Sequence, residues 1–318
     1  MLFLRILPVF AILFVGFGAG AVSLFSSTRT AIQVLNRYSL YIAAPLLIFA
    51  GMVDPSLSLP LRPGFYLAHV LALMVGLLFV LLCMPVRTLR PHAGTLALAI
   101  AYGNITFLGI PVLHRAFGEE ALGLAALSSG IHTILAMTVG PALFLLWNQR
   151  SADDSWSLKE VGRRLVRQPM VWSPLLGLLA RLFGENVQKV LFDYSMVIAV
   201  SAGPTAIFML GLYFWERRET LRHIRMPAVV TVALKLLVLP AVTLGVLVAM
   251  RPFFELTPLE NVIVLCQSAM PTAITTYSLA EEFDNDRETV ATAAILSAVV
   301  SLVTLPVVMS AAERWFLV

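Results

Sequence analysis

"AYGNITFLGIPVLHRAFGEE", residues 101–120, sets Gly103, Asn104, Thr106, Gly109 and Pro111 within one short stretch of a chain that otherwise reads as lipid-soluble. A helix in hydrocarbon must satisfy its backbone N–H and C=O groups internally, and proline removes a donor while glycine loosens the turn. Each unpaired backbone group in lipid costs several kcal/mol. Such a break is tolerated only inside protein or along a watered cavity, so the stretch predicts a broken helix at the centre of a membrane bundle.

Composition supports the bundle. Of 318 residues 59% are hydrophobic and 13% charged, with mean hydropathy +0.89, which lies far outside the make-up of soluble domains. At about 20 apolar residues per span, the chain holds ten spans, near 4–24, 31–53, 65–86, 94–117, 120–147, 169–184, 190–215, 227–250, 258–280 and 289–312. No sizeable soluble domain remains, so function must lie between helices. The first span follows Arg5 like a signal sequence, but it lacks an A-x-A site and runs into another span, so it is read as retained.

Cys83 and Cys266 sit in apolar runs without CxxC or Cys/His spacing and read as packing residues, so neither a metal nor any other cofactor is expected. The net charge of +4 is spread over the ends of spans, not gathered on one polar face, which argues against a nucleic-acid partner. Counted by side, the odd-numbered connections and their flanks hold fourteen Lys and Arg, and the even-numbered connections with the two ends hold seven. The bias makes the odd-numbered connections cytoplasmic and puts both termini outside the cytoplasm, in a multi-pass protein of the inner (plasma) membrane.

The longest polar connection, around 151–168, divides five spans (1–150) from five (169–318). At an offset of 166, Val80, Leu81 and Met84 meet Val246, Leu247 and Met250, and His69 meets Lys235. "APLLIF" (44–49) also matches "GPTAIF" (203–208). Because five is odd, the halves of such a duplication cross the membrane in opposite senses. Inverted repeats are a mark of secondary transporters, whose substrate sites lie where interrupted helices from the two halves meet. The expected fold is therefore all-α, two inverted five-helix repeats with helices 4 and 9 broken and crossing.

Every span carries a proline, and most read as kinks. In spans 4 and 9 the proline comes with polar company: Gly103, Asn104 and Thr106 in one, and Gln267, Ser268, Pro271, Thr272, Thr275 and Thr276 in the other. If both unwind and cross, each second half starts with free N–H groups and a positive dipole end, a place that suits a carboxylate. The Asn104 amide can donate, and the Thr106, Thr272 and Thr275 hydroxyls can donate or accept.

Other ionisable residues keep two readings each. Lys235, about 12 Å into span 8 at 1.5 Å per residue, either snorkels to the headgroups or faces the cavity as a counter-charge to an anion. His132, beside Ser128, Ser129 and Thr133, either titrates or bonds a neighbouring helix. His69 lies closer to the opposite face and is the weaker candidate. His92, His114 and His223 read as interfacial, and the acidic turn from Glu281 to Glu288 as a solvated helix end.

"GNITFLGIPVL" (103–113) resembles the fourth-span pattern of the auxin efflux carrier family, in the bile/arsenite/riboflavin transporter superfamily, and "AMPTAITTYSLAEEFDNDRETVATAAILSAVVSLVTLP" (269–306) resembles its ninth and tenth spans. That family includes bacterial permeases for malonate and related acids. The resemblance covers essentially the whole chain. It implies a scaffold of spans 1, 2, 6 and 7, often the homodimer contact, and a transport unit of spans 3–5 and 8–10. Asn104, Pro271 and Thr272 match the crossover positions; Gly103 departs from the proline of plant members, which implies a softer first break, and the central connection is far shorter than in long plant members.

The leading expectation is a secondary carrier of a small organic anion, working by alternating access in the lipid bilayer. A channel or sensor on the same fold is the alternative. An intramembrane enzyme is disfavoured, since no G-x-S-x-G elbow, H-E-x-x-H motif or paired carboxylate sets appear.

Overall fold

The computed structural model describes residues 2–55, 63–83, 94, 97, 99–100, 102–147, 163, 166–273, 276–277 and 286–317. Thr275, most of the connection at 151–168, and Glu281, Glu282 and Asp284 lie outside the described residues. In chain order the helices are α1 (Leu2–Ala21), α2 (Thr28–Val53), α3 (Pro63–Cys83), α4 (Ile105–Phe117), α5 (Glu119–Trp147), α6 (Pro169–Phe183), α7 (Glu185–Glu216), α8 (Met226–Met250), α9 (Pro258–Ser268) and α10 (Arg287–Ala312). There is no strand among the described residues. Four described helices are long and apolar enough to cross a membrane: α2, α7, α8 and Glu288–Leu317. Together with several shorter apolar helices they make the chain an all-α integral membrane protein.

Local sequence sets where these helices begin and bend. The Ser27 hydroxyl accepts the Thr30 N–H, and Asp286 accepts the Thr289 N–H at 3.0 Å, each filling one orphan donor of a first turn. Thr257 and Glu260 form a reciprocal capping box at the head of α9. Gly118 and Gly184, at φ of +86° and +80°, make the turns after α4 and α6 in a conformation that L side chains avoid.

Three wide π-turns, Ser39–Ala43, Ile105–Gly109 and Leu234–Val238, each stand two residues ahead of a proline: Pro45, Pro111 and Pro240. Proline offers no N–H to the carbonyl four residues back and its ring presses on that carbonyl. The turn before it widens instead, so that Ala44 N–H reaches Ser39 O and Leu239 N–H reaches Leu234 O, one residue further than in an α-helix.

The described chain divides into two units. The first comprises Met1–Arg62, Ile105–Gly130 and Gln168–Glu219. Here α1 and α7 touch backbone to backbone: a Cβ on Gly211 would stand 2.0 Å from Leu13 O, and one on Gly16 2.0 Å from Phe208 O. Small residues permit this approach, which supplies the van der Waals contact that binds helices in lipid. The buried second half of α2 packs on α6 and on the first half of α7, and Arg181 closes its C-terminal end by donating to Met52 O (3.2 Å) and Asp54 O (2.8 Å).

The second unit comprises Pro63–Asn104, Ile131–Arg167 and Thr220–Val318. Its core gathers Leu73 and Leu77 of α3, Ala97 and Ile100, and Leu239 of α8, with Tyr102, Leu135, Val230 and Leu234 against them. Gly76 lets α3 approach α8, where a Cβ would stand 2.4 Å from the Leu239 side chain.

Candidate functional site

The site lies in the second unit, where two unwound segments meet. Ala99 and Ile100 are helical, whereas Tyr102, Gly103 and Asn104 are not; α9 ends at Ser268, and Pro271, Thr272 and Ala273 follow it unwound. Gly103 and Thr272 pair as an isolated antiparallel bridge. Asn104 N–H donates to Pro271 O at 2.7 Å and Ala273 N–H to Tyr102 O at 2.9 Å. Pro271, which has no N–H, contributes only its carbonyl.

This pairing leaves a debt at the end of the preceding helix, and side chains from elsewhere settle it. In an unbroken helix Gly103 N–H would serve Ala99 O, and Asn104 N–H would serve Ile100 O. With the chain turned aside, the Thr272 hydroxyl donates to Ala99 O at 3.0 Å, and the Lys235 ammonium on α8 donates to Ile100 O at 3.0 Å. The Ser297 hydroxyl on α10 accepts the Thr272 N–H at 3.1 Å. A cation also suits the negative end of a helix dipole. Thus α8, α10 and the unwound segment after α9 all hold the break.

Lys235 is 3% exposed, so its ammonium stays in the core and does not reach the headgroups. Its place follows from the π-turn at Leu234–Val238, which carries it. Asn104 is 7% exposed, and its carboxamide is engaged by no described residue. The proton of the Thr272 hydroxyl is committed to Ala99, leaving lone pairs to accept. Thr106 belongs to the first unit, where its hydroxyl is bonded to Ser129 on α5.

His69 on α3 and His132 on α5 are hydrogen-bonded, Nδ1 to Nε2, at 3.1 Å. Their rings stand edge to face at 5.1 Å, and His69 rests in the same manner on Phe65. His132 Nδ1 is buried and has no hydrogen-bond partner among the described residues. Both imidazoles, Lys235, Ile100 and Ser268 line one narrow cavity of about 10 Å³, room for roughly one water molecule. The sequence makes His69 a weaker candidate than Lys235. The signal for it was the offset of 166 that pairs it with Lys235, the residue whose cavity it shares.

A family profile described as "Membrane transport protein" matches residues 1–309. The chain is 29% identical over 283 residues to an "Uncharacterized transporter" of Methanothermobacter thermautotrophicus, covering 86% of this chain and 87% of that protein. A "Putative malonate transporter" of Rhizobium meliloti is 26% identical over 213 residues, 65% of each chain. An "Uncharacterized transporter" of Methanocaldococcus jannaschii is 23% identical over 278 residues, 86% of this chain and 87% of its own.

Proposed function

The chain belongs to the family of membrane transport proteins that includes the auxin efflux carriers, and from that premise we propose that it is a secondary transporter of a small organic anion, whose carboxylate binds at the break of spans 4 and 9. The observation that carries this reading is the antiparallel pairing of Gly103 with Thr272 beside a buried lysine. No described residue engages the Asn104 carboxamide, and the buried ammonium favours negative charge nearby. Thr106 and Thr275 lie in the same two polar stretches of the sequence. Malonate is the first substrate to try, because one relative carries that name.

The frame for this chemistry is ten spans in two inverted five-span repeats, with spans 4 and 9 crossing and moving the site between the two faces by alternating access. The protein acts as a homodimer in the inner membrane, with the odd-numbered connections cytoplasmic and both termini outside. Saturable counterflow of malonate in proteoliposomes is the expected behaviour; linear, non-saturating flux is the result a pore would give. For topology, a cysteine at Ser155 with the native cysteines removed should react with a membrane-impermeant thiol reagent only after cells are opened. Reaction in intact cells would reverse the orientation.

Asn104→Ala should weaken malonate binding by roughly 1–3 kcal/mol, the range for a hydrogen bond to a charged group, without loss of expression. Isothermal titration of the purified variant checks it. Unaltered binding in the folded variant would place the anion elsewhere.

A further inference from the structure

We propose that Lys235, His132 and His69 form a single proton-binding site that couples anion movement to a proton gradient, an inference that rests on the reading of the chain as an anion carrier. Three observations carry it. The two imidazoles, from helices far apart in sequence, bond to each other beside a cavity that Leu73, Ile100 and Leu239 also line. One nitrogen, His132 Nδ1, is buried and unmatched among the described residues. Lys235 lines the same cavity, while its ammonium holds the broken helix through Ile100 O.

Two neutral imidazoles need one proton between them for their bond. When His132 donates through Nε2, its Nδ1 is a bare lone pair, able to accept a proton from the Lys235 ammonium through one water in the cavity that both line. That transfer balances: an ammonium and an imidazole become an amine and an imidazolium, with His69 stabilising the new cation through the existing bond. Two positive charges in so small a space repel strongly, so the site holds one proton at a time. Other titratable or charged groups on the surrounding elements are Tyr66 and Cys83 on α3, Tyr102 at the break, Glu119 and Glu120 at the start of α5, Glu260 and Cys266 on α9, Arg287 and Glu288 at the start of α10, and Arg225 and Arg251 at the ends of α8. None of the described side chains among these lines the cavity.

Coupling follows from where the charge sits. With the proton on Lys235, the ammonium grips Ile100 O and presents positive charge beside the break. When the proton leaves, both the grip and the charge weaken. Proton and anion therefore favour each other's binding, and by linkage the effect is reciprocal. The carrier moves them together, and an acid compartment drives the anion out of itself.

Two measurements test this. Purified protein in lipid nanodiscs is stepped from pH 9 to pH 5 in unbuffered solution with an indicator dye. Wild type should take up one more proton per chain than the Lys235→Met/His132→Gln double variant, whose folding is checked by size exclusion; equal uptake overturns the proposal whatever the fate of malonate. In proteoliposomes, radiolabelled malonate uptake is compared with an acid exterior and in counterflow without a gradient. The ratio of the two should fall at least fivefold in His132→Gln, in which an amide keeps the bond to His69 but has no proton to exchange. An unchanged ratio overturns the coupling and leaves the carrier reading intact. Absence of counterflow in the wild type would sink malonate as substrate, while the proton count still decides the coupling.

Discussion

Lys235→Met should lower malonate affinity by about 30-fold or more while the protein still folds. Truncating one partner of a buried charge pair costs about 2–5 kcal/mol, and every 1.4 kcal/mol is tenfold in affinity. Two opposed terms act on stability itself. Ile100 O loses the Lys235 donor, which costs about 1–3 kcal/mol, but the burial of an isolated ammonium is also relieved. Methionine fills much of the same volume, so the net change in melting temperature should be small beside the change in affinity. Lys235→Arg should be impaired as well. The planar guanidinium is bulkier than an ammonium and the adjoining cavity holds roughly one water molecule. Binding and transport of all three proteins across pH 5 to 8 provide the test. If arginine behaves as wild type and methionine keeps normal affinity, Lys235 has no part in anion binding.

The second large effect belongs to stability. Gly211→Leu should lower the melting temperature by roughly 5–10 °C, because a Cβ at this position would overlap Leu13 O and also stand 2.6 Å from Phe17 N. Neither is the end of a flexible side chain, so α1 and α7 must separate, at the 1–3 kcal/mol or more of an overpacked core. Gly16→Ala approaches the same seam from the other side. Once one substitution has parted the helices, the second meets less resistance, so the double variant Gly16→Ala/Gly211→Ala should cost less than the sum of its parts. Tryptophan fluorescence during thermal unfolding in detergent reads all of these. Additive costs would mean that the two glycines act at independent contacts.

Some of this was legible in the sequence and some was not. Outside spans 4 and 9 the described helices begin and end close to the windows read from apolar runs, as with Met226–Met250 against 227–250, since hydrophobic length is a property of the chain alone. The unwinding at Gly103–Asn104 and at Pro271–Thr272 was visible too, because glycine, proline and polar side chains in a span announce it locally. What holds the break was not. That Thr272 serves Ala99 O and Lys235 serves Ile100 O depends on which helices become neighbours. The lysine was left between headgroups and cavity because a depth along the helix does not say which way the residue points. His69 reads as the weaker candidate because it lies closer to the opposite face, and its packing against Phe65 and His132 likewise depends on which helices become neighbours.

The wide turns ahead of Pro45 and Pro240 have a bearing on how this chain is compared with others. A π-turn holds one residue more than the α-turn it replaces, and each residue of an α-helix accounts for about 100° of rotation. A relative whose second or eighth helix runs through as unbroken α-helix would be one residue shorter there. Its alignment with this chain should carry a single-residue gap within 39–43 or 234–238. Placing that gap instead in a neighbouring connection would mis-assign every residue between the two positions, and in the eighth helix would set the wrong residue opposite Lys235.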